Sequence, residues 1–241
     1  MNPSRRDFLK GIAVGAAGAA VGAPAEARSA QGEGDAKHRW GMVVDLRRCI
    51  GCQACTVACG TENRTPLGQY RTVVHQFEIP GADGSPRRAS LPRLCNHCAQ
   101  PPCIPVCPVG ATFQRADGIV LVDNTRCVGC GYCVQACPYD ARFVNAELGT
   151  ADKCTFCVHR VDAGLLPACV ETCVGSARIF GDLNDPISSV SQLLRAHEAL
   201  PLKPGAGTEP QVRYIGLDGR LQDKVTGERS PVAAKLAEVN P

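Results

Sequence analysis

The feature that most constrains this chain is a set of sixteen cysteines among 241 residues. They form four groups of four: Cys49, Cys52, Cys55 and Cys59; Cys95, Cys98, Cys103 and Cys107; Cys127, Cys130, Cys133 and Cys137; and Cys154, Cys157, Cys169 and Cys173. Aromatic residues make up only 5% of the chain, which argues against a large hydrophobic core. The composition therefore predicts a fold nucleated by inorganic centres or cross-links, whose formation can supply folding free energy.

The spacing within the groups indicates iron–sulfur clusters. The third group, followed by Pro138, has the C-x2-C-x2-C-x3-C-P spacing of bacterial ferredoxins. The first group has the same spacing without the proline, and the second is two residues wider in its middle and keeps Pro108. In this pattern three cysteines hold one cluster, and the fourth, one helical turn later, reaches the neighbouring cluster. Four groups thus predict two ferredoxin-like pairs and four [4Fe–4S] clusters.

Two other uses of cysteine explain the pattern less well. A structural zinc site takes four ligands in two close pairs, so a third cysteine two residues later would be redundant. Disulfides suit an exported chain, but cysteines this close in sequence would have to bridge within one turn and would constrain little.

The spacing leaves open which groups pair. Hairpin-like segments follow both the second group and the third. The second and third groups end in Cys-Pro, whereas the first ends in Cys59-Gly60 and the fourth in Cys173-Val174. Pairing like with like favours an inner pair inserted into an outer pair.

An internal duplication and several local signals predict the secondary structure. The stretches "WGMVVDLRRCIGCQAC" and "GIVLVDNTRCVGCGYC" both place an apolar strand before a cysteine loop. "YRTVVHQFEIPGADGSPRRASLPRL" predicts a hairpin with its turn at Asp83-Gly84. Asp185-Pro186 predicts a helix start, with Asp185 as N-cap, and Ile187, Val190 and Leu194 form its apolar stripe. "QVRYIGLDG" predicts a late strand, and residues after about 221 carry no strong signal.

The N-terminus resembles an export signal. A basic start with Arg5-Arg6 is followed by a short Gly- and Ala-rich run and by the small residues "AEA" at 25–27. The paired arginines resemble a twin-arginine signal, which predicts periplasmic export of a folded protein. No segment reaches the roughly 20 apolar residues of a membrane helix. The net charge of +3 is too close to neutral to indicate a nucleic-acid partner.

In its cysteine motifs, the region from about Trp40 to Pro186 resembles the iron–sulfur beta subunits of dimethyl sulfoxide reductase-type molybdopterin oxidoreductases. The likeness is carried by "CNHCAQPPCIPVCPVGATF", "CVGCGYCVQACPYDARF" and "DKCTFCVHRVDAGLLPACVETC". Within this family, "LRRCIGCQACTVAC", "ENRTPLGQYRT", "LPRLCNHC" and "YIGLDG" are most similar to the electron-transfer subunits of tetrathionate reductases.

The resemblance implies an α+β fold of two interleaved ferredoxin-like domains with a C-terminal extension. The implied segments are a twin-arginine signal at 1–27, an outer pair at 40–94 and 150–182, an inner pair at 95–149 and an extension at 183–241. The implied ligands are Cys49, Cys52, Cys55 and Cys173 for cluster 1; Cys59, Cys154, Cys157 and Cys169 for cluster 2; Cys95, Cys98, Cys103 and Cys137 for cluster 3; and Cys107, Cys127, Cys130 and Cys133 for cluster 4.

The implied function is electron transfer without a catalytic centre of the chain's own. Electrons would pass from a quinol-oxidising integral membrane subunit to a molybdopterin catalytic subunit, and the chain would meet the membrane only through its partner. The alternatives are the same role in a polysulfide, thiosulfate or arsenate reductase, or a free-standing exported polyferredoxin.

Several other residues near the cysteines are expected to support the clusters. His97 and His159 are expected to be surface or supporting residues rather than ligands, and Tyr132 and Phe156 to shield clusters from water. Six basic residues are candidates to offset cluster charge, with a solvated surface as the alternative: Arg47, Arg48, Arg126, Arg142, Lys153 and Arg160.

Overall fold

A computed structural model of the chain describes residues 33–81 and 83–223. The helices are α1 (Ala54–Asn63), α2 (Tyr132–Gln135), α3 (Val158–Val161), α4 (Ala168–Glu171), α5 (Ser189–Ala196) and α6 (Gly219–Gln222), with a 3-10 turn at Pro204–Ala206. The strands are β1 (Trp40–Asp45), β2 (Thr72–Pro80), β3 (Pro86–Leu94), β4 (Thr112–Gln114), β5 (Val120–Val122), β6 (Arg142–Val144), β7 (Ala151–Lys153), β8 (Arg178–Asp182), β9 (Ala199–Leu200) and β10 (Val212–Ile215). The predicted signal at 1–27 and the predicted loose tail after 223 lie outside the described residues.

The described part is a mixed α and β protein of short helices and small sheets. This agrees with the α+β class at a coarse level, whereas the division into two interleaved ferredoxin-like domains stays a prediction. Within the two described ranges, no helix has both the length and the apolar character needed to cross a membrane.

Strand β1 lies inside the largest sheet, whose strand order is β8-β1-β10-β9. It pairs antiparallel with β8 and parallel with β10, so that Met42 lies between Phe180 and Val212. Consecutive apolar residues in β1 are typical of a strand that is covered on both faces. Met42 belongs to the main core cluster, whereas Val43 packs with Val190 of α5 on the other face.

The C-terminal segment completes this sheet. The predicted late strand is β10, and it lies between β1 and β9 rather than at an edge. Although the sequence carries no strong signal near residue 221, Leu221 of α6 is buried. Residues 183–223 therefore contribute to the same core as β1.

The predicted start of α5 is wrong by three residues. The N-cap is Ser188, whose backbone is extended and whose hydroxyl oxygen accepts the Ser191 N–H at 3.3 Å. The Asp185 carboxylate instead accepts the Ile187 N–H at 2.9 Å, which closes a turn before the helix. Ile187 is exposed and lies outside the apolar stripe.

Replacing Ser188 with alanine should lower the free energy of unfolding by about 1 kcal/mol, because the Ser191 N–H loses its capping acceptor. Chemical denaturation of the anaerobically purified protein measures this loss. The matched control is Asp185→Ala, for which we expect a loss below about 0.5 kcal/mol. A larger loss for Asp185→Ala than for Ser188→Ala would contradict the assignment of the cap.

Three two-stranded hairpins complete the architecture: β2–β3, β4–β5 and β6–β7. All three are predicted from the sequence. The turn of the first hairpin shows why Asp83-Gly84 is a reliable signal. The Asp83 carboxylate accepts the Ser85 N–H at 3.0 Å, and Gly84 adopts φ 79°, a left-handed conformation that glycine tolerates best.

Candidate iron–sulfur sites

All sixteen cysteines lie within the described residues, and none of them forms a disulfide. Most are buried or partly buried, while Cys52 and Cys130 are exposed. These two residues are the second cysteines of the first and third groups. Within the described ranges, no three His, Cys, Asp or Glu side chains converge closely enough for a single metal ion. Instead, cysteines of different groups surround common cavities.

The first cavity is lined by the four cysteines of the implied cluster 1 set and has an empty volume of about 340 Å³. It brings Cys173 to the loop that carries Cys49, more than a hundred residues earlier. Gly175 makes this approach possible, since a Cβ atom there would lie 2.2 Å from the Arg48 carbonyl oxygen. Cys173 also accepts the Ala177 N–H on its Sγ at 3.2 Å.

The second cavity is lined by the four cysteines of the implied cluster 2 set and has an empty volume of about 290 Å³. Cys59 at the end of the first group thus meets the fourth group. The Asn63 side-chain amide donates to the Sγ atoms of Cys59 at 3.5 Å and Cys157 at 3.7 Å. Burial, with the neighbouring Cys169 and Cys157, raises the pKa of Cys59 to about 12.

Cys95, Cys98 and Cys103 of the second group and Cys137 of the third group also come together. Burial is the main cause that raises the pKa of Cys98 to about 12, and the nearby charges of Cys95, Cys103 and Cys137 raise it further. Closely spaced, buried thiols of this kind resist ionisation as free side chains. Coordination to a metal centre deprotonates them and compensates their charge, so the donor sets fit thiolate-ligated clusters.

Two cysteines of the implied cluster 4 set pack together. Cys133 is buried in a small apolar cluster against which Cys127 packs. The Cys107 Sγ accepts the Ala111 N–H at 3.1 Å. Burial raises the pKa of Cys107, but several backbone N–H groups outweigh it, so the net pKa is lowered. Cys127 and Cys133 thus lie in one packed cluster. The membership of Cys107 and Cys130 in the same set stays a prediction.

All four cysteine groups share a left-handed residue before their second cysteine. These residues are Gly51 (φ 71°), His97 (φ 42°), Gly129 (φ 68°) and Phe156 (φ 53°). Glycine makes the turn visible in the sequence of the first and third groups, whereas the second and fourth groups use larger residues. The rings of His97 and Phe156 stack with their centroids 3.8 Å apart. The loops of the second and fourth groups are therefore in direct contact.

The two histidines, expected to be surface or supporting residues, lie in different environments. His97 is fully buried, and its Nδ1 accepts the Val120 N–H at 3.0 Å. His159 is exposed and bonds Glu62 at 2.7 Å. Of the two predicted shielding residues, Phe156 is buried, whereas Tyr132 is 56% exposed and does not join the core.

The six basic residues divide between the two expected roles. Arg142 is buried and donates to the Cys103 Sγ at 3.0 Å, and buried Lys153 donates to the Cys154 carbonyl oxygen at 2.8 Å. Arg48 is exposed. The remaining three bond protein oxygens away from the sulfurs: Arg47 to Asp45, Arg126 to the Val109 carbonyl and Arg160 to Glu62.

Sequence reasoning missed Arg178, which is buried and donates to the Cys169 Sγ at 3.7 Å. A signal for it was present. Arg142 follows Cys137 by five residues in "CPYDAR", and Arg178 follows Cys173 by five residues in "CVGSAR".

Comparison with known proteins decides the family. Residues 87–183 match the family model of the 4Fe-4S dicluster domain. A tetrathionate reductase subunit of Salmonella typhimurium is 56% identical over 239 residues, which cover 96% of this chain and 95% of that protein. The chain belongs to the iron–sulfur subunits of the molybdopterin oxidoreductases.

Further relatives of this iron–sulfur subunit include the subunit of a second tetrathionate reductase and that of a different reductase. A tetrathionate reductase subunit of Archaeoglobus fulgidus is 45% identical and covers 78% of this chain and 90% of that protein. The iron–sulfur subunit of the arsenate respiratory reductase of a Shewanella species is 39% identical and covers 73% of this chain and 96% of that protein. The iron–sulfur subunit is thus an electron-transfer protein, as predicted.

The N-terminus of the iron–sulfur subunit matches the model of a twin-arginine translocation signal over residues 2–22. This match supports the predicted export to the periplasm. The predicted end of the signal at residue 27 is not tested by it.

Proposed function

We propose that the chain binds four [4Fe–4S] clusters through the four cysteine sets given above. It would relay electrons from a quinol-oxidising membrane subunit to a molybdopterin catalytic subunit of a tetrathionate reductase. The observation that carries this proposal is the exchange of cysteines between groups. Cys173 lines the cavity of the first group, and Cys59 lines that of the fourth. Such crossed donation is typical of two-cluster ferredoxins.

The same exchange supports the proposed domain organisation. Residues 40–94 and 150–182 would form the outer pair around cysteines of the first and fourth groups. Residues 95–149 would form the inner pair, in which Cys137 approaches the second group. Residues 183–241 would be the C-terminal extension, of which the described part completes the sheet of β1.

Contacts between the sets favour a linear order from cluster 1 to cluster 4. Cys169 of set 2 and Cys55 of set 1 both raise the pKa of Arg178. The stacked pair of His97 and Phe156 joins the loops of sets 3 and 2. Arg142 donates to the Cys103 Sγ of set 3, and its strand β6 contacts α2, which carries Cys133 of set 4. Each cluster, when bound, would accept and release one electron at a time.

The two ends of this order reach the surface. Exposed Cys52 of set 1 lies in a cavity that exposed Ile50 also lines, and exposed Cys130 of set 4 lies near exposed Val128. The cysteines of the middle sets are buried, apart from the partly buried Cys137, which limits the access of water to them. Exposed apolar residues beside an exposed ligand are typical of docking faces. We assign one end to the catalytic subunit and the other to the membrane subunit, through which the chain would associate peripherally with the membrane.

Purification of the tagged chain from native membranes tests the proposal. We expect it to copurify with a molybdopterin subunit and a multi-span membrane subunit, and the complex to reduce tetrathionate with a quinol donor. Activity with arsenate, thiosulfate or polysulfide instead would reassign the substrate to a related reductase. Recovery of the chain alone, fully loaded with iron and free of partners, would indicate a free-standing polyferredoxin and contradict the proposal.

A further inference from the structure

Two buried arginines occupy the same position relative to a cysteine group. Arg142 is the first residue of β6 and Arg178 the first residue of β8, and each follows the last cysteine of its group by five residues. Both side chains are almost completely buried, at 4% and 3% exposure. Burying a charge is costly unless it is compensated. Two buried arginines at equivalent positions, each five residues after the last cysteine of a group, therefore indicate a shared role.

The two guanidinium groups make the same kinds of contact, one to a cysteine Sγ and one to a threonine hydroxyl. Arg142 donates to the Cys103 Sγ at 3.0 Å and to the Thr112 hydroxyl at 3.3 Å. Arg178 donates to the Cys169 Sγ at 3.7 Å and to the Thr72 hydroxyl at 2.8 Å. Each threonine is the first residue of a strand that follows the partner group, β4 after the second group and β2 after the first. Each arginine therefore spans one proposed ferredoxin-like pair.

Each arginine also lies between two cysteine sets. Arg178 lines the cavity of set 1, while its guanidinium reaches Cys169 of set 2. Burial lowers the pKa of Arg178, whereas nearby negative charges, those of Cys169 and Cys55 first, raise it. Arg142 donates to Cys103 of set 3, and β6, which begins at Arg142, contacts α2, the helix that carries Cys133 of set 4.

The compensating negative charge comes from sulfur. Among the ion pairs of residues 33–81 and 83–223, neither Arg142 nor Arg178 has a carboxylate partner. A permanent cation beside thiolate-ligated iron stabilises the more negative, reduced state of the cluster. A cation shared by two clusters acts on both of them.

We propose that Arg178 raises the reduction potentials of clusters 1 and 2 together, and that Arg142 raises those of clusters 3 and 4 together. This inference rests on the proposed four-cluster function. The two arginines are positioning residues that act on the clusters through charge and through hydrogen bonds to sulfur. The pairwise action shifts the potentials of the two clusters of each pair in the same direction.

Redox titration of the intact complex, followed by electron paramagnetic resonance, tests the proposal. Arg178→Gln should make reduction of clusters 1 and 2 about tenfold less favourable, a fall of about 59 mV for one electron, and leave clusters 3 and 4 unchanged. Arg142→Gln should lower clusters 3 and 4 and leave clusters 1 and 2 unchanged. The matched control is Arg126→Gln, because Arg126 is exposed beside Cys127 and bonds a carbonyl; no signal should move.

Charge-conserving variants separate electrostatics from structural support. Arg178→Lys and Arg142→Lys should retain most of the wild-type potentials, because the cation remains. A Lys variant that lowers the potentials as far as its Gln counterpart would overturn the proposal. So would a Gln variant that moves only one cluster or moves all four alike. If a Gln variant fails to assemble, the Lys variant alone decides, since a tenfold loss there contradicts a role for charge.

The wild-type complex separates this inference from the proposed function. Fewer than four redox-active clusters on this chain would overturn the proposed function itself. Four clusters whose potentials stay unchanged in both arginine variants would overturn only the inference. The signals can be assigned beforehand with single cysteine variants, each of which removes one ligand from one set.

Discussion

Replacing Cys173 with serine should remove or convert the cluster of the first cysteine group and leave the cluster of the fourth group intact. The reason is that Cys173 lines the cavity of Cys49, Cys52 and Cys55, whereas the other three cysteines of its own group line a different cavity. Iron analysis should show a loss of up to about a quarter of the iron, because one of four clusters loses a ligand.

The matched control for this variant is Cys59→Ser. Cys59 belongs to the first group in sequence but lines the cavity of the fourth group. We expect Cys59→Ser to perturb the cluster of the fourth group. The signal of the first group's cluster, which Cys173→Ser removes, should stay unchanged. If each serine variant perturbs the cluster of its own sequence group, the crossed pairing is wrong.

Replacing Phe156 with alanine should lower the free energy of unfolding by about 3–5 kcal/mol. The ring is 1% exposed, stacks on His97 at 3.8 Å and meets the edge of Phe180 at 5.2 Å. It also lines the cavity of set 2, so its loss admits water there. Anaerobic denaturation measures the stability, and the decay of cluster absorbance in air measures the exposure of the site.

Tyr132→Ala is the control for this prediction, since Tyr132 occupies the cysteine loop of the third group and is largely exposed. We expect it to change the free energy of unfolding by less than about 0.5 kcal/mol and to leave the decay rate unchanged. Equal losses of stability for the two variants would contradict a role for Phe156 in packing between the cysteine loops of sets 2 and 3.

Local signals predicted the local structure well. The three hairpins depend on turn residues such as Asp83-Gly84, and the strands before the cysteine loops depend on short apolar runs; both signals act over a few positions. The start of α5 was harder to predict because Asp185 and Ser188 are both good acceptors for a free backbone N–H. The structure uses both, and only Ser188 is followed at once by helix.

Non-local features could not be read from the spacing. The position of β10 between β1 and β9 depends on strand pairing across some 170 residues, for which the sequence holds no local signal. The partner of Cys173 has the same difficulty: the Cys-Pro pattern favoured the outer pair, and the family resemblance implied the individual ligands. Arg178 was detectable through its repeat position after the last cysteine, but its burial beside Cys169 needed the three-dimensional structure.

The iron and acid-labile sulfide content of the anaerobically purified chain tests the central claim most directly. Four [4Fe–4S] clusters on sixteen cysteines predict about sixteen iron atoms and about sixteen sulfides per chain. A content near half of these values, or zinc in place of iron, would contradict a four-cluster electron-transfer subunit.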